Sequence, residues 1–172
     1  MAMTSARLSW VLLLVAVGVL VGCHWVWWPM LPERVATHFD AVGRANGWMS
    51  RGAHGWGSLG THLGLAGFIL GLCAVMHKLP PGLLNLPNKD YWRSPERYPV
   101  ACALMREWSR WLAAVMLVWG AAMDWQVVLA NQAVPPRLNM TAMGILTGCF
   151  LAAVLVAVVW LLLRFLRRPV VT

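Results

Sequence analysis

The hydrophobic and polar positions of the chain form four long apolar runs separated by polar, turn-rich passages. The runs cover residues 8–28, 59–76, 108–130 and 142–163. The first has 21 uncharged residues, and as a helix it would reach about 31 Å, enough for the roughly 30 Å hydrocarbon core of a bilayer. Pro99 favours an earlier start for the third helix, with Arg106, Glu107 and Arg110 on its polar face. The pattern predicts an all-α membrane protein with four transmembrane helices in one domain.

The composition agrees with a membrane location. Of the 172 residues, 60% are hydrophobic and only 12% are charged, whereas soluble domains carry about 25% charged residues. The twelve Trp residues suit the headgroup region of a bilayer. The net charge of +8 comes from basic residues at the ends of apolar runs, so we expect lipid phosphate, and not nucleic acid, as their partner. The four cysteines, Cys23, Cys73, Cys102 and Cys149, lie far apart without a CxxC pair and are interpreted as free thiols.

The distribution of basic residues predicts how the helices are oriented. Of the fourteen Lys and Arg residues, nine lie at the two termini and in the loop of residues 77–107, and a tenth, Arg110, follows that loop directly at the start of the third run. Basic residues favour the cytoplasmic side. Both termini are therefore predicted to be cytoplasmic, and the loop of residues 29–58 is predicted to face outward. The last helix should end at Arg164, Arg167 and Arg168, since Pro169 cannot continue it.

The outer loop carries the signature of a β-hairpin. Val35, Thr37 and Phe39 alternate with other residues, which predicts a strand over residues 34–40 and a return strand over 44–50. Asp40 and Gly43 are the first and last residues of a four-residue stretch, as in a type I turn. The Asn-Gly pair at 46–47 is a competing turn position, so the register stays open. The prediction is a short extracytoplasmic β-hairpin after the first helix.

Residues of this loop resemble a known family. They are Leu31, Pro32, Val35, His38, Phe39, Asp40, Gly43, Asn46, Trp48, Ser50 and Arg51. The pattern resembles a bacterial membrane family of unknown function (DUF1648-like), whose module also forms the N-terminal part of SdpI-type toxin-immunity proteins. The resemblance implies a bacterial inner (plasma) membrane and a role in immunity or signalling, and it implies no catalytic residue.

A second block of the same resemblance lies in the cytoplasmic loop. It contains Asn88, Lys89, Asp90, Tyr91 and Trp92. One interpretation is an interfacial elbow, with Tyr91 and Trp92 among lipid headgroups. The other is a docking motif for a cytosolic regulator. The sequence does not separate the two.

Three polar residues are predicted to meet inside the membrane. Asp124 is the only acidic residue in the four apolar runs, and an intramembrane carboxylate needs a polar partner. By helical rise, His24 and His62 reach a similar depth from two other helices. We therefore expect Asp124 to lie beside one of them. The cluster has three interpretations: a hydrogen-bonded knot that orders the helices, a proton relay, or a transition-metal site.

Within the hairpin, His38 and Asp40 lie two residues apart and would share a face of a strand. Together with Gly43, Trp48 and Asp124 they form a candidate ligand-binding set. The alternative is structural, because an Asp side chain at this position can hydrogen-bond its own turn.

The second run carries a stripe of glycines at helical spacing, Gly60, Gly64, Gly67 and Gly71. Such a stripe favours close packing of another helix, in this chain or in a second copy of it. The alternative is a cavity or sliding surface. In the first run, the stretch that ends at Cys23 resembles a lipobox, but the apolar run continues beyond it, so we expect no cleavage there.

No nucleophile triad, phosphate-binding glycine loop or catalytic carboxylate pair is visible, so we do not expect an enzyme. The sequence favours a non-catalytic, SdpI-like protein that senses or binds through its outer loop. The bilayer is its first partner, and a peptide toxin or a cytosolic regulator is a candidate second partner. The alternatives are a small transporter or channel using Asp124 and the glycine stripe, and a metal-dependent enzyme at the outer histidines. No particular cofactor is indicated.

Overall fold

The computed structural model describes residues 2–167, with side chains from Ser5 onward. Four long helices, α1 (Ala2–Trp27), α2 (Arg51–Val75), α4 (Tyr98–Gln132) and α5 (Met140–Leu166), run up and down. Strands β1 (Arg34–Phe39) and β2 (Ala45–Ser50) follow α1, and the short helix α3 (Lys89–Trp92) precedes α4. Within the described range, four helices are long and apolar enough to cross a membrane. This confirms the predicted multi-pass helical architecture. The end of the bundle beside the strands is called the hairpin end, and the other is the opposite end.

Helix α4 is the centre of the bundle, because α1, α2 and α5 all pack against it. The main core cluster includes Leu13, Ala16 and Leu20 of α1 and Ala113 and Leu117 of α4. Alanine at facing positions lets the helix backbones approach closely. Large apolar side chains such as Val26, Phe68 and Val156 point outward and are more than 60% exposed, as expected for surfaces that meet lipid tails.

The second helix begins earlier than the apolar pattern predicts. It starts at Arg51, whereas the apolar run begins at residue 59. The Ser50 side chain caps it by accepting a hydrogen bond from the Ala53 N–H, at 3.1 Å. The polar, glycine-rich residues 51–58 are therefore helical, and the connection after α1 ends at Ser50 instead of residue 58.

The hairpin forms where it was predicted. Strands β1 and β2 pair antiparallel, with Arg34 opposite Ser50. The Gly43 N–H donates to the Asp40 carbonyl, 2.9 Å away, so the turn is the one that Asp40 and Gly43 predict. Gly43 has φ +81°, and a Cβ there would collide with the Leu138 carbonyl, so only glycine fits. The competing turn at residues 46–47 does not form, because both residues lie within β2.

The glycine stripe of α2 does not pack within this chain. Gly60, Gly64, Gly67 and Gly71 are all exposed, and a Cβ on any of them would meet no atom within 4 Å. The expectation of tight helix packing is therefore wrong for contacts inside the chain. The four cysteines are free thiols, as predicted. Helix α5 ends at Leu166, while Arg168 and Pro169, which were predicted to end it, lie outside the described residues.

Candidate functional site

A polar cluster lies inside the bundle near the hairpin end, between α1, α2 and α4. Its centre is the pair formed by His62 of α2 and Asp124 of α4, whose Nδ1 and Oδ2 atoms are 3.6 Å apart. Each side chain is only 16% exposed. The distance is slightly longer than a hydrogen bond, so the two groups are close neighbours that form an ion pair only when the imidazole is protonated. The predicted neighbour of Asp124 on another helix is thus His62.

Gly120 makes this pair possible. It lies one turn before Asp124 on α4, and a Cβ at this position would overlap the His62 ring. The missing side chain lets the imidazole lie against the α4 backbone, next to the carboxylate. Sequence reasoning missed this residue, although its four-residue spacing from Asp124 places both on one helix face.

His24 of α1 forms the second part of the cluster. It is 7% exposed and surrounded by indole rings, with Trp28 at a ring-centroid distance of 5.2 Å and Trp25 at 5.9 Å. Trp56 of α2 closes the same aromatic group, 5.7 Å from Trp28. A Cβ on Gly55 would overlap the Trp28 ring, so this glycine sets how closely α1 and α2 approach at the hairpin end.

A small cavity joins the two parts. Its volume is about 20 Å³, and His24, His54, Ser58 and Asp124 are among the residues that line it. Among the described side chains, His24 Nε2 and His62 Nδ1 are buried without a hydrogen-bond partner. The cavity has room for one water-sized molecule. His24, His54, Ser58 and Asp124 offer polar groups to an occupant of the cavity, whereas His62 does not line it. The site therefore suits a water molecule or another small polar group.

The metal hypothesis for His24, His62 and Asp124 gains no support from this geometry. Among the described residues, no group of three or more His, Cys, Asp or Glu side chains is arranged to hold a metal ion. The indole rings around His24 also present few donor atoms to a cation.

Asn131 fastens the hairpin to α4. Its Oδ1 accepts from the Ala36 N–H at 2.8 Å, and its Nδ2 donates to the Ala36 carbonyl at 2.9 Å. Two such bonds to one residue fix both the position and the register of β1 on the helix end. Asn131 is seven residues beyond Asp124, about two helical turns on the same face. The turn of the hairpin is held separately, because the Leu138 N–H donates to the Gly43 carbonyl at 2.9 Å.

The residues of the candidate ligand-binding set lie in different parts of the structure. Asp40 supports its own turn, since its Oδ1 accepts from the Val42 N–H at 3.0 Å and from the Arg44 N–H at 2.8 Å. Gly43 is buried against the α4–α5 connection. His38 and Trp48 are exposed on the hairpin, and Asp124 lines the cavity in the bundle.

The motif of residues 88–92 caps the end of α5. Trp92 is 3% exposed, and its Nε1 donates to the Phe165 carbonyl at 2.8 Å. The Asn88 amide donates to the carbonyls of Phe165 and Leu166, at 3.2 and 3.0 Å. The expectation that Trp92 lies among lipid headgroups is therefore wrong. A helix end leaves unsatisfied carbonyls, and this motif satisfies two of them.

Comparison with known proteins gives one match. The model of the family described as Domain of unknown function (DUF1648) matches residues 11–70, which run from α1 through the hairpin into α2. No curated protein and no solved structure matches the chain. His24, His54 and His62 lie inside the matched stretch, and Asp124 lies outside it, on α4. The protein is thus a multi-pass membrane protein of unknown function with a DUF1648 match in its first 70 residues.

Proposed function

We propose that the protein is a non-catalytic binding and sensing protein of a bacterial inner membrane, SdpI-like in kind, which receives an extended peptide at its hairpin. Both termini are cytoplasmic and the hairpin faces outward in this proposal. It rests mainly on the free edge of strand β2, together with the firm attachment of the hairpin to α4.

The β2 edge offers backbone groups to a partner strand. Among the described residues the sheet has two strands. An isolated bridge pairs Arg44, just before β2, with Arg137, and the outer edge of β2 itself has no strand partner. On the β1 edge, Asn131 occupies the N–H and the carbonyl of Ala36. Most of β2 is exposed, including Trp48 at 45% and Met49 at 36%. An extended peptide can add to such an edge through main-chain hydrogen bonds.

The exposed side chains of the hairpin would determine which peptides bind at the β2 edge. The Arg34 guanidinium lies over the Trp48 ring, 5.5 Å from its centroid, and His38 is exposed nearby, opposite Gly47 in the register. An aromatic ring held by a cation is a rigid contact surface. This combination suits a peptide with apolar and acidic side chains, such as a membrane-active toxin.

Helix α4 connects the hairpin with the opposite end. It holds β1 through Asn131, passes the His62–Asp124 pair and begins at Tyr98. The Tyr98 hydroxyl has the carbonyls of Met76 and Leu79 as its acceptors, at 2.8 and 2.7 Å. A shift of the hairpin would therefore reach the segment after α2 through one continuous helix. A cytosolic regulator at that segment would complete a signalling role.

The rival functions have weaker support. A transporter needs a continuous polar path, and the cavity beside Asp124 measures only about 20 Å³. The glycine stripe lies on the exposed face of α2, away from that cavity. The stripe fits instead a contact with a second copy of the chain, so a homo-oligomer remains part of the proposal.

In-cell photocrosslinking tests the proposed function. Benzoylphenylalanine in place of Trp48 should form adducts of peptide mass in the cells that naturally carry the protein. Trp56 is the control position, since it is 59% exposed but belongs to the aromatic group on the helices. Peptide adducts at Trp48 alone are expected. Lipid adducts only, or equal adducts at both positions, would contradict a peptide-binding hairpin.

A further inference from the structure

A groove toward the opposite end lies apart from the hairpin and from the polar cluster. It has a volume of about 720 Å³, within the range of ligand pockets. Its walls come from α4 and α5, with Ser5 of α1 at the edge. The Trp108 indole donates to the Ala157 carbonyl at 3.0 Å, which fixes the spacing of the two walls.

The polarity of the groove changes along its length. Leu112 and Val115 of α4 and Ala153 and Val154 of α5 line its deeper part. Glu107 and Arg164 line the mouth of the groove, which lies toward the opposite end of the bundle. From residue 104 to residue 115 the α4 wall rises about 16 Å, close to half of the roughly 30 Å hydrocarbon core. The groove therefore has the length of one leaflet, with a polar mouth and an apolar interior.

The mouth presents charges of both signs. Arg164 lies over the Trp160 ring, 5.1 Å from its centroid, so its guanidinium is held at the wall. Glu107 is half-buried on the wall formed by α4, across the groove from Arg164. Within the described part of the chain, no salt bridge joins Glu107 and Arg164, so these two side chains do not neutralise each other at contact distance.

We propose that this groove binds a phospholipid with a primary-amine, zwitterionic headgroup, that is, a phosphatidylethanolamine. Its phosphate meets Arg164, its ammonium donates to Glu107, and one acyl chain fills the apolar interior. An anionic glycerol headgroup lacks a donor cation for Glu107 and suffers repulsion from it. A choline headgroup carries the charge but has no N–H to donate.

Native mass spectrometry of the full chain in detergent tests the assignment, with dioleoyl phosphatidylethanolamine, phosphatidylglycerol and phosphatidylcholine as probes. Wild type should retain the ethanolamine lipid roughly fivefold better than the other two, as expected for one charge-assisted hydrogen bond partly screened by water. Glu107→Gln should lower the retention of the ethanolamine lipid to that of the choline lipid. Glu96→Gln, an exposed carboxylate at the same end that does not line the groove, should change nothing.

Two further variants locate the site. Arg164→Gln should weaken all three lipids about equally, because each has a phosphate. Ala153→Phe fills the apolar interior without changing charge and should remove the adducts. Equal retention of the three lipids by wild type, a preference for the glycerol lipid, or an unchanged preference in Glu107→Gln would overturn the proposal. Ethanolamine adducts that survive Ala153→Phe would place the lipid elsewhere and overturn it as well.

Discussion

His62 and Asp124 lie on different helices, with Nδ1 and Oδ2 atoms 3.6 Å apart in the interior of the bundle. Their proximity depends on Gly120, which leaves room for the imidazole ring. An isolated carboxyl group at this depth would be costly. The pair therefore provides a polar link between α2 and α4 at the level where the cavity also reaches His24.

A double-mutant cycle measures this link. Asp124→Asn and His62→Gln keep hydrogen-bonding atoms but change the charge and the geometry of the pair. The coupling in the free energy of unfolding should be about 0.6 kcal/mol and no more than roughly 2 kcal/mol, as for interhelical polar pairs in membranes. His77 is exposed at the opposite end, so the control cycle with His77→Gln should give no coupling. Equal coupling in the two cycles would show that the pair has no energetic role.

The attachment of the hairpin predicts a local effect of Asn131→Ala. The substitution leaves the N–H and carbonyl of Ala36 without partners, which should cost about 1–3 kcal/mol of local stability. Hydrogen exchange of residues 34–50 should accelerate, while the helices stay protected. Asn46→Ala is the matched control, because Asn46 is exposed on β2. Similar exchange in both variants would mean that the hairpin does not depend on α4.

Two glycines of one helix should respond in opposite ways to alanine. A Cβ at Gly55 would overlap the Trp28 ring, whereas Gly57 has open space. Gly55→Ala should therefore destabilise the protein by about 1–3 kcal/mol through overpacking. Gly57→Ala should be neutral or stabilising by up to about 1 kcal/mol. Thermal unfolding followed by circular dichroism in one detergent compares them, and equal shifts would exclude a close α1–α2 approach at Gly55.

The sequence predicts much of the architecture because long apolar runs and turn chemistry are local signals. The apolar runs identify the four long helices of the described range, and Asp40 with Gly43 identifies the turn. The start of α2 is missed because Gly, His and Ser in residues 51–58 are also typical of a loop. His54 and Ser58 are missed as members of the cluster for the same reason, since both lie on that first part of α2.

Contacts between helices are beyond the reach of local patterns. Arg110 was expected on a polar face, yet it is 9% exposed, donates to Ser9 Oγ at 2.9 Å and lies over the Trp10 ring. Helical spacing shows that a residue shares a face with others but not which neighbour covers that face. The same limit explains why helical spacing could not show whether the glycine stripe of α2 packs inside the chain, and why the sequence could not place Trp92.

The orientation of the hairpin tests the central claim most directly, because a peptide sensor of the outer face requires the hairpin outside. Trp48→Cys and Leu83→Cys introduce thiols at exposed positions of the hairpin and of the loop after α2, 45% and 69% exposed respectively. Both are made in a variant whose four native cysteines are replaced by alanine. A membrane-impermeant maleimide should label the Trp48 position in intact cells and the Leu83 position only after permeabilisation. Labelling of the Leu83 position alone in intact cells would reverse the topology and contradict the account.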